Sequence, residues 1–360
     1  MLEKTILYSL DDVTIIPETV TDIRSRSECS PWISNLEQTN DNYYPIVAAP
    51  MASVISPENY KIFHDNKISC IIPRNISIEN RLSLCSEVFC AFSMNEIVDN
   101  FINMRQRGDS FKVLIDIANG HMQSQIDLGK KLKDIYGDSM ILMGGNIANP
   151  KTYEYYNSSG FDYIRVGIGN GKACTTSTQT GIHYPMASLI SETFRIKRGI
   201  CGETKIIADG GISNYSTGIK CLALGADYVM MGSVFGKSLE AAGPILRKNS
   251  YGEYYEAIPG SVSTLSKTEK YYREYYGMST KQAQAEILGK SLSESREKLK
   301  TSEGKKMILE IEYTLSGWVD NFNSYLRSAM SYTNSRNLEE FKYSRCQIMS
   351  QTTSTSVNNK

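Results

Sequence analysis

The stretch Tyr163-Ile164-Arg165-Val166-Gly167-Ile168-Gly169-Asn170-Gly171-Lys172-Ala173-Cys174-Thr175-Thr176 reads as a buried strand running into a tight loop. Its first four residues are an apolar run broken by one arginine, and the glycines at alternate positions allow backbone conformations closed to other residues. Ala or Val would serve packing better. The glycines, the lone Cys174 and the Thr-Thr pair therefore mark a loop that brings a thiol and free backbone N–H groups to one small molecule. A cysteine by itself reads as a small buried hydrophobe; its surroundings turn the reading toward chemistry.

The same pattern repeats along the chain. Apolar runs at 45–49, 68–72, 112–116, 140–144, 163–167, 205–209 and 228–232 are separated by helix-length segments. Near-continuous apolar runs are strands buried on both faces, the habit of parallel sheets. Seven such strands, with an eighth expected at 271–276, predict an α/β fold of the (β/α)8 TIM-barrel type. Polar and glycine residues follow the strands directly, at 116–120, 144–146, 167–176, 209–211 and 232–233. In a barrel the carboxyl ends of the strands share one mouth, so these clusters converge there. A doubly wound sheet would gather its candidates at one switch point, whereas here almost every strand end carries one.

Composition narrows the partners. Lys+Arg and Asp+Glu both number 39, so neither a nucleic-acid footprint nor a membrane-surface patch is predicted. The 360 residues are 41% hydrophobic, ample for a large core. The N-terminus lacks the apolar run of a signal peptide and no membrane-length apolar stretch follows, which predicts a soluble cytoplasmic protein. Eight cysteines form no Cys-x-x-Cys pair, and the three histidines, His64, His121 and His183, lie far apart. Neither a disulfide framework nor a His-based metal centre is expected, and some other residue must handle protons.

Beyond Met231 the texture changes. Residues 250–312 are rich in Tyr, Ser, Glu and Lys, which predicts an exposed, mobile flap or finger near the carboxyl-end face, and 350–360 reads as a disordered tail. The expected organisation is one barrel domain over 1–349.

The Cys loop, Asp209-Gly210-Gly211, Gly232-Ser233 and Tyr276-Gly277-Met278-Ser279, in that order, resemble the IMP dehydrogenase and GMP reductase family of purine nucleotide oxidoreductases. The likeness includes Ser25-Arg26-Ser27-Glu28 and Ala49-Pro50-Met51 and runs from about Leu7 to about Tyr332. It implies that Cys174 attacks carbon 2 of the purine, forming an adduct that exchanges hydride with a nicotinamide cofactor. The thiolate is the reactive form, so a base must sit beside it or its pKa must fall. The resemblance further implies that Thr176 handles a proton and Asp209 accepts both ribose hydroxyls. By the same resemblance Gly211, Gly232, Ser233 and Tyr275 hold the phosphate, Asn146, Met278 and Ser279 lie on the base side, and Gly210 and Met51 complete the substrate site. Asp116 falls beside the nicotinamide ribose, with Arg74 or Lys300 left to read a cofactor 2′-phosphate. The carbonyls of Gly169, Gly171 and Cys174 resemble a monovalent-cation site suited to potassium.

Two branches of the family differ in chemistry. The dehydrogenase oxidises IMP with NAD, hydrolyses the adduct with an Arg-Tyr pair on its flap and carries an inserted CBS regulatory domain. In the reductase the cysteine displaces ammonia from GMP, and NADPH delivers hydride. Here no domain-sized insertion separates 72 from 112, no Arg-Tyr dipeptide occurs between Gly277 and Glu303, and Ser302-Glu303-Gly304-Lys305 is reductase-like. The resemblance thus implies an NADPH-dependent GMP reductase without a CBS domain, with Glu303 paired to Thr176 as proton donor. It also implies a homotetramer, with the amphipathic stretch 318–330 beside subunit contacts. IMP dehydrogenase is the alternative, favoured by Arg165, by Met231-Gly232-Ser233 and by Arg296 in the flap. A nucleotide-binding protein without turnover is a third, against which the intact Cys174, Thr176, Asp209 and Glu303 argue. Lys172 departs from a phosphate-contacting serine by adding charge at the substrate site, and Ala52 departs from an aspartate.

Overall fold

The computed structural model describes residues 6–39, 41–105, 108, 110–257, 269–289 and 301–348, so the expected tail at 350–360, Arg296 and Lys300 lie outside the described residues. Eight parallel strands close into a barrel. They are β1 Ile46–Ala48, β2 Ser69–Ile72, β3 Phe89–Phe92, β4 Phe111–Ile115, β5 Met140–Ile147, β6 Tyr163–Val166, β7 Lys205–Asp209 and β8 Tyr228–Met231. Each pairs with its successor, and β8 returns to β1 with Val229 opposite Ile46 and Met231 opposite Ala48. The (β/α)8 barrel expected from the sequence is therefore present.

One strand assignment is corrected. The strand that completes the barrel's eight is β3, Phe89–Phe92, whereas Tyr272–Tyr276 pairs antiparallel with Lys306–Glu310 in a separate sheet. The two differ in burial: Phe89–Phe92 is buried throughout, while along Tyr272–Tyr276 only Arg273 and Tyr275 are. Continuous burial belongs to a parallel strand with both faces covered, and alternation to a half-exposed antiparallel one.

Side-chain parity divides the barrel into two cores. Val47, Ile71, Phe89, Ala91, Leu114, Ile141, Met143, Tyr163, Ile207, Tyr228 and Met230 cluster in the interior. Their neighbours, such as Ile46, Cys70, Cys90, Val113, Leu142, Ile164, Ala208 and Val229, pack with the surrounding helices. Successive side chains point to opposite faces of a strand, so this two-residue alternation is what closure dictates. Leu36, in a turn between paired segments Ile33–Ser34 and Asn42–Tyr43, joins the interior cluster at the amino end, where the Tyr228 hydroxyl donates to the Ser34 carbonyl at 2.7 Å. The amino end is thus plugged, and the mouth at the carboxyl end is left for a site.

The helix Leu315–Tyr332 starts at a Thr314 cap and buries Leu315, Trp318, Val319, Phe322, Leu326 and Met330. That spacing is one apolar stripe of a helix. It packs within the chain, Trp318 stacking on Tyr215 with ring centroids 5.0 Å apart. The apolar face of 318–330 is therefore occupied by the chain's own core.

The excursion forms a four-stranded antiparallel sheet. Its strands are β9 Leu246–Lys248, β10 Tyr254–Glu256, β11 Tyr272–Tyr276 and β12 Lys306–Glu310, in the order β10-β9-β11-β12. Arg273 anchors it to the barrel: its guanidinium donates to the carbonyls of Ser238 at 2.6 Å and Leu239 at 3.1 Å, just past the short helix Ser233–Gly236. Burial pulls this guanidinium down to about 10, and it meets the cost of burial through carbonyls.

Candidate active site

At the end of β6 the chain turns at Gly167, where φ is 137° and an added Cβ would lie 2.1 Å from the Asp209 carbonyl oxygen. Only glycine lets the ends of β6 and β7 approach so closely. The loop closes through the Cys174 N–H, which donates to the Gly171 carbonyl at 3.0 Å, and continues into the helix Thr176–Thr180.

Three side chains stand in series there. The Cys174 thiol donates to the Thr176 hydroxyl at 3.2 Å, and that hydroxyl donates to Glu303 Oε2 at 2.6 Å. Glu303 arrives from far along the chain because the return segment zips onto the loop. Thr175 N–H donates to the Glu303 carbonyl at 2.8 Å and Lys305 N–H to the Ala173 carbonyl at 2.9 Å, with Cys174 and Gly304 bridged antiparallel. A proton leaving the sulfur therefore has a hydrogen-bonded route to a carboxylate.

Across the cavity stand two acids and one buried cation. Arg165 Nη2 donates to Asp116 Oδ1 at 2.7 Å, while its Nη1 lies 3.8 Å from Asp209 Oδ2. Asn146 Nδ2 donates to the same Asp209 oxygen at 2.7 Å and to the Gly167 carbonyl at 2.9 Å. Burial lifts the Asp209 carboxyl above its ordinary range, against the pull of Arg165 and Asn146. Asn146, one of the residues expected in the substrate site, is hydrogen-bonded behind Asp209. Arg74 is brought close, its Nη1 3.4 Å from the Asp116 carbonyl oxygen, while its Nε is buried without a hydrogen bond and lies 4.0 Å from Glu96 Oε2.

Opposite these, Tyr275 is buried and its hydroxyl points at Met51 Sδ, 3.2 Å away. A thioether is a weak acceptor, so this hydroxyl keeps its capacity for a better one. A Cβ on Gly232 would lie 2.5 Å from the Tyr275 oxygen, so hydroxyl and glycine backbone share one concavity. Met51, Asp116, Lys172, Cys174, Asp209, Gly210, Gly211, Gly232, Ser233, Tyr275, Met278 and Ser279 all line a single cavity, together with Arg165. The carbonyls of Gly169 and Gly171 accept from Ser177 Oγ and the Cys174 N–H, both at 3.0 Å, leaving each a lone pair that suits a monovalent cation. Among the described residues no cluster of His, Cys, Asp or Glu is arranged to hold a metal ion, and no helix is long and apolar enough to cross a membrane.

Sequence reading gave Arg165 no role within the site. The signal was its parity: Tyr163 and Arg165 alternate with outward-facing Ile164 and Val166, so the arginine had to point inward, above the hydrophobic layer.

Fold and site together define a (β/α)8 barrel whose mouth sets a thiol, hydroxyl and carboxylate in series beside a pair of acids bridged by arginine. A family model for the IMP dehydrogenase / GMP reductase domain matches residues 109–360. The chain belongs to that family. The GMP reductase of Caenorhabditis elegans is 26% identical over 312 residues, covering 82% of this chain and 78% of its own. The GMP reductase of Staphylococcus epidermidis strain RP62A is 26% identical over 346 residues, 93% of this chain and 94% of its own. GMP reductase 2 of Bos taurus is 25% identical over 351 residues, 94% and 93% respectively.

Proposed function

We propose that the protein converts GMP to IMP and ammonia with NADPH, through a covalent adduct between Cys174 and carbon 2 of the purine. The observation that carries this reading is the directed chain from the Cys174 thiol through Thr176 to Glu303. The thiol gives its proton by way of the Thr176 hydroxyl to the Glu303 carboxylate, and the thiolate adds to carbon 2. Glu303, now protonated, returns that proton toward the leaving amine, which departs as ammonia with cleavage of the carbon–nitrogen bond. NADPH, when bound, supplies the hydride. Once carbon 2 is reduced, Cys174 would leave it as a thiolate, freeing IMP, and a proton from solvent would restore the thiol by way of Glu303 and Thr176.

The remaining residues bind and orient. Asp209, with Oδ2 held from behind, faces the ribose hydroxyls as a charged acceptor. Tyr275, Gly211, Gly232 and Ser233 receive the phosphate, and Lys172 adds a positive charge at the same rim. Asp116 lines the cavity beside Arg165 and suits the nicotinamide ribose, with Arg74 next to it.

Mixing the protein with GMP and NADPH tests the reading. Loss of reduced-nicotinamide absorbance in step with ammonia release is expected. Formation of NADH from IMP and NAD, without the GMP reaction, overturns it in favour of a dehydrogenase. Binding of nucleotide with neither reaction overturns it in favour of a non-catalytic protein.

A further inference from the structure

We propose that Arg165 is a positioning residue that couples the two ligand subsites of the mouth, so that nucleotide at Asp209 prepares Asp116 for the second ligand; this rests on the nucleotide reading above. Arg165 leaves β6 on the inward face and is 5% exposed, where charges interact strongly. It serves two acids unequally. Nη2 is hydrogen-bonded to Asp116 at 2.7 Å, Nη1 stands 3.8 Å from Asp209, and Nε is buried with no partner. A guanidinium carries its donors in a rigid planar fork, so it cannot satisfy both carboxylates by flexing.

Both acids line the cavity with one oxygen held from behind: Asp116 Oδ1 by Arg165, Asp209 Oδ2 by Asn146 and the arginine charge. When a ribose diol donates to Asp209, that carboxylate draws less on the arginine charge, and the bond that Arg165 already makes to Asp116 is strengthened. Asp116 is then ordered before the second ligand arrives, and its ordering no longer opposes binding. By linkage the effect is reciprocal.

Calorimetry on the Cys174→Ser protein, in which GMP and NADPH can be present together without turnover, reads the coupling directly. The GMP Kd is expected to fall at least about fivefold when NADPH is saturating. Adding Arg165→Lys keeps the charge but reaches only one acid. It is expected to abolish the difference while GMP alone still binds within about tenfold. Equal GMP affinity with and without NADPH overturns the proposal with no change at position 165, so a misfolded variant gives it no shelter. Undiminished coupling in Arg165→Lys overturns it as well. Failure of GMP to bind the Arg165 protein takes down the nucleotide reading, and this proposal with it.

Discussion

Glu303 and Glu37 show how differently two carboxyls are used. Glu303 accepts from Thr176 at 2.6 Å at the mouth and is the proton's destination in the proposed reaction. Glu303→Gln keeps an acceptor for Thr176 and loses the titratable group. Its kcat is expected to fall about 10²–10⁴-fold with GMP affinity nearly unchanged, read by steady-state kinetics beside direct binding. Glu37 lies 5% exposed under the plugged amino end, with both carboxyl oxygens lacking a hydrogen-bond partner. Burial pushes it up to about 7, against weaker pulls from nearby backbone amides and Lys112. The fold therefore binds this proton more tightly than the unfolded chain does, and stability is lost as pH rises from the ordinary carboxylate range through about 7. Glu37→Gln removes that dependence. Urea unfolding is expected to show the variant more stable than the parent at pH 8, by up to about 3 kcal/mol, with little difference at pH 4.

At the scale of elements, β11 ties the excursion sheet to the cavity, because Arg273 and Tyr275 share its buried face. Arg273→Met strips donors from the Ser238 and Leu239 carbonyls, which is expected to lower stability by about 2–4 kcal/mol in urea and to weaken GMP binding through Tyr275. This strand also marks where sequence was legible and where it was not. Seven barrel strands were readable because each is a near-continuous apolar run bounded by glycine, proline or a polar residue. Phe89–Phe92 sits in a five-residue apolar run, 88–92, with no glycine or proline beside it to separate it from helix by pattern alone. The evidence for it lay in spacing, since the gap between β2 and β4 has room for another βα unit. Tyr272–Tyr276 was readable as a strand, but its polar, alternating face was the sign that it belonged outside the barrel.

Across the whole molecule, the site gathers residues that lie far apart in sequence, and the segment around Lys342 is held to the barrel by a buried ion pair. The Cys loop was legible by composition, whereas the Thr176–Glu303 contact spans 127 positions and only the family likeness pointed to it. Asp227 at the start of β8 receives Lys197 Nζ at 2.8 Å and Lys342 Nζ at 2.6 Å, the latter from the segment after the helix Leu338–Phe341. Burial alone would raise this carboxyl, but the two ammonium groups outweigh it and bring it down to about 2. Its stabilisation is present above the ordinary carboxylate range and disappears as pH falls toward 2. Asp227→Asn leaves Lys197 without its carboxylate and Lys342 with Glu339 alone, and is expected to cost about 3 kcal/mol at pH 7, read by chemical denaturation.

The account turns on a sulfur–carbon bond, and the rate of ammonia release from GMP by the Cys174→Ser protein tests it most directly. A fall of at least about a thousandfold, with GMP still bound, is the predicted result. Release at the parent rate would contradict this, because the sulfur of Cys174 would then not be the nucleophile.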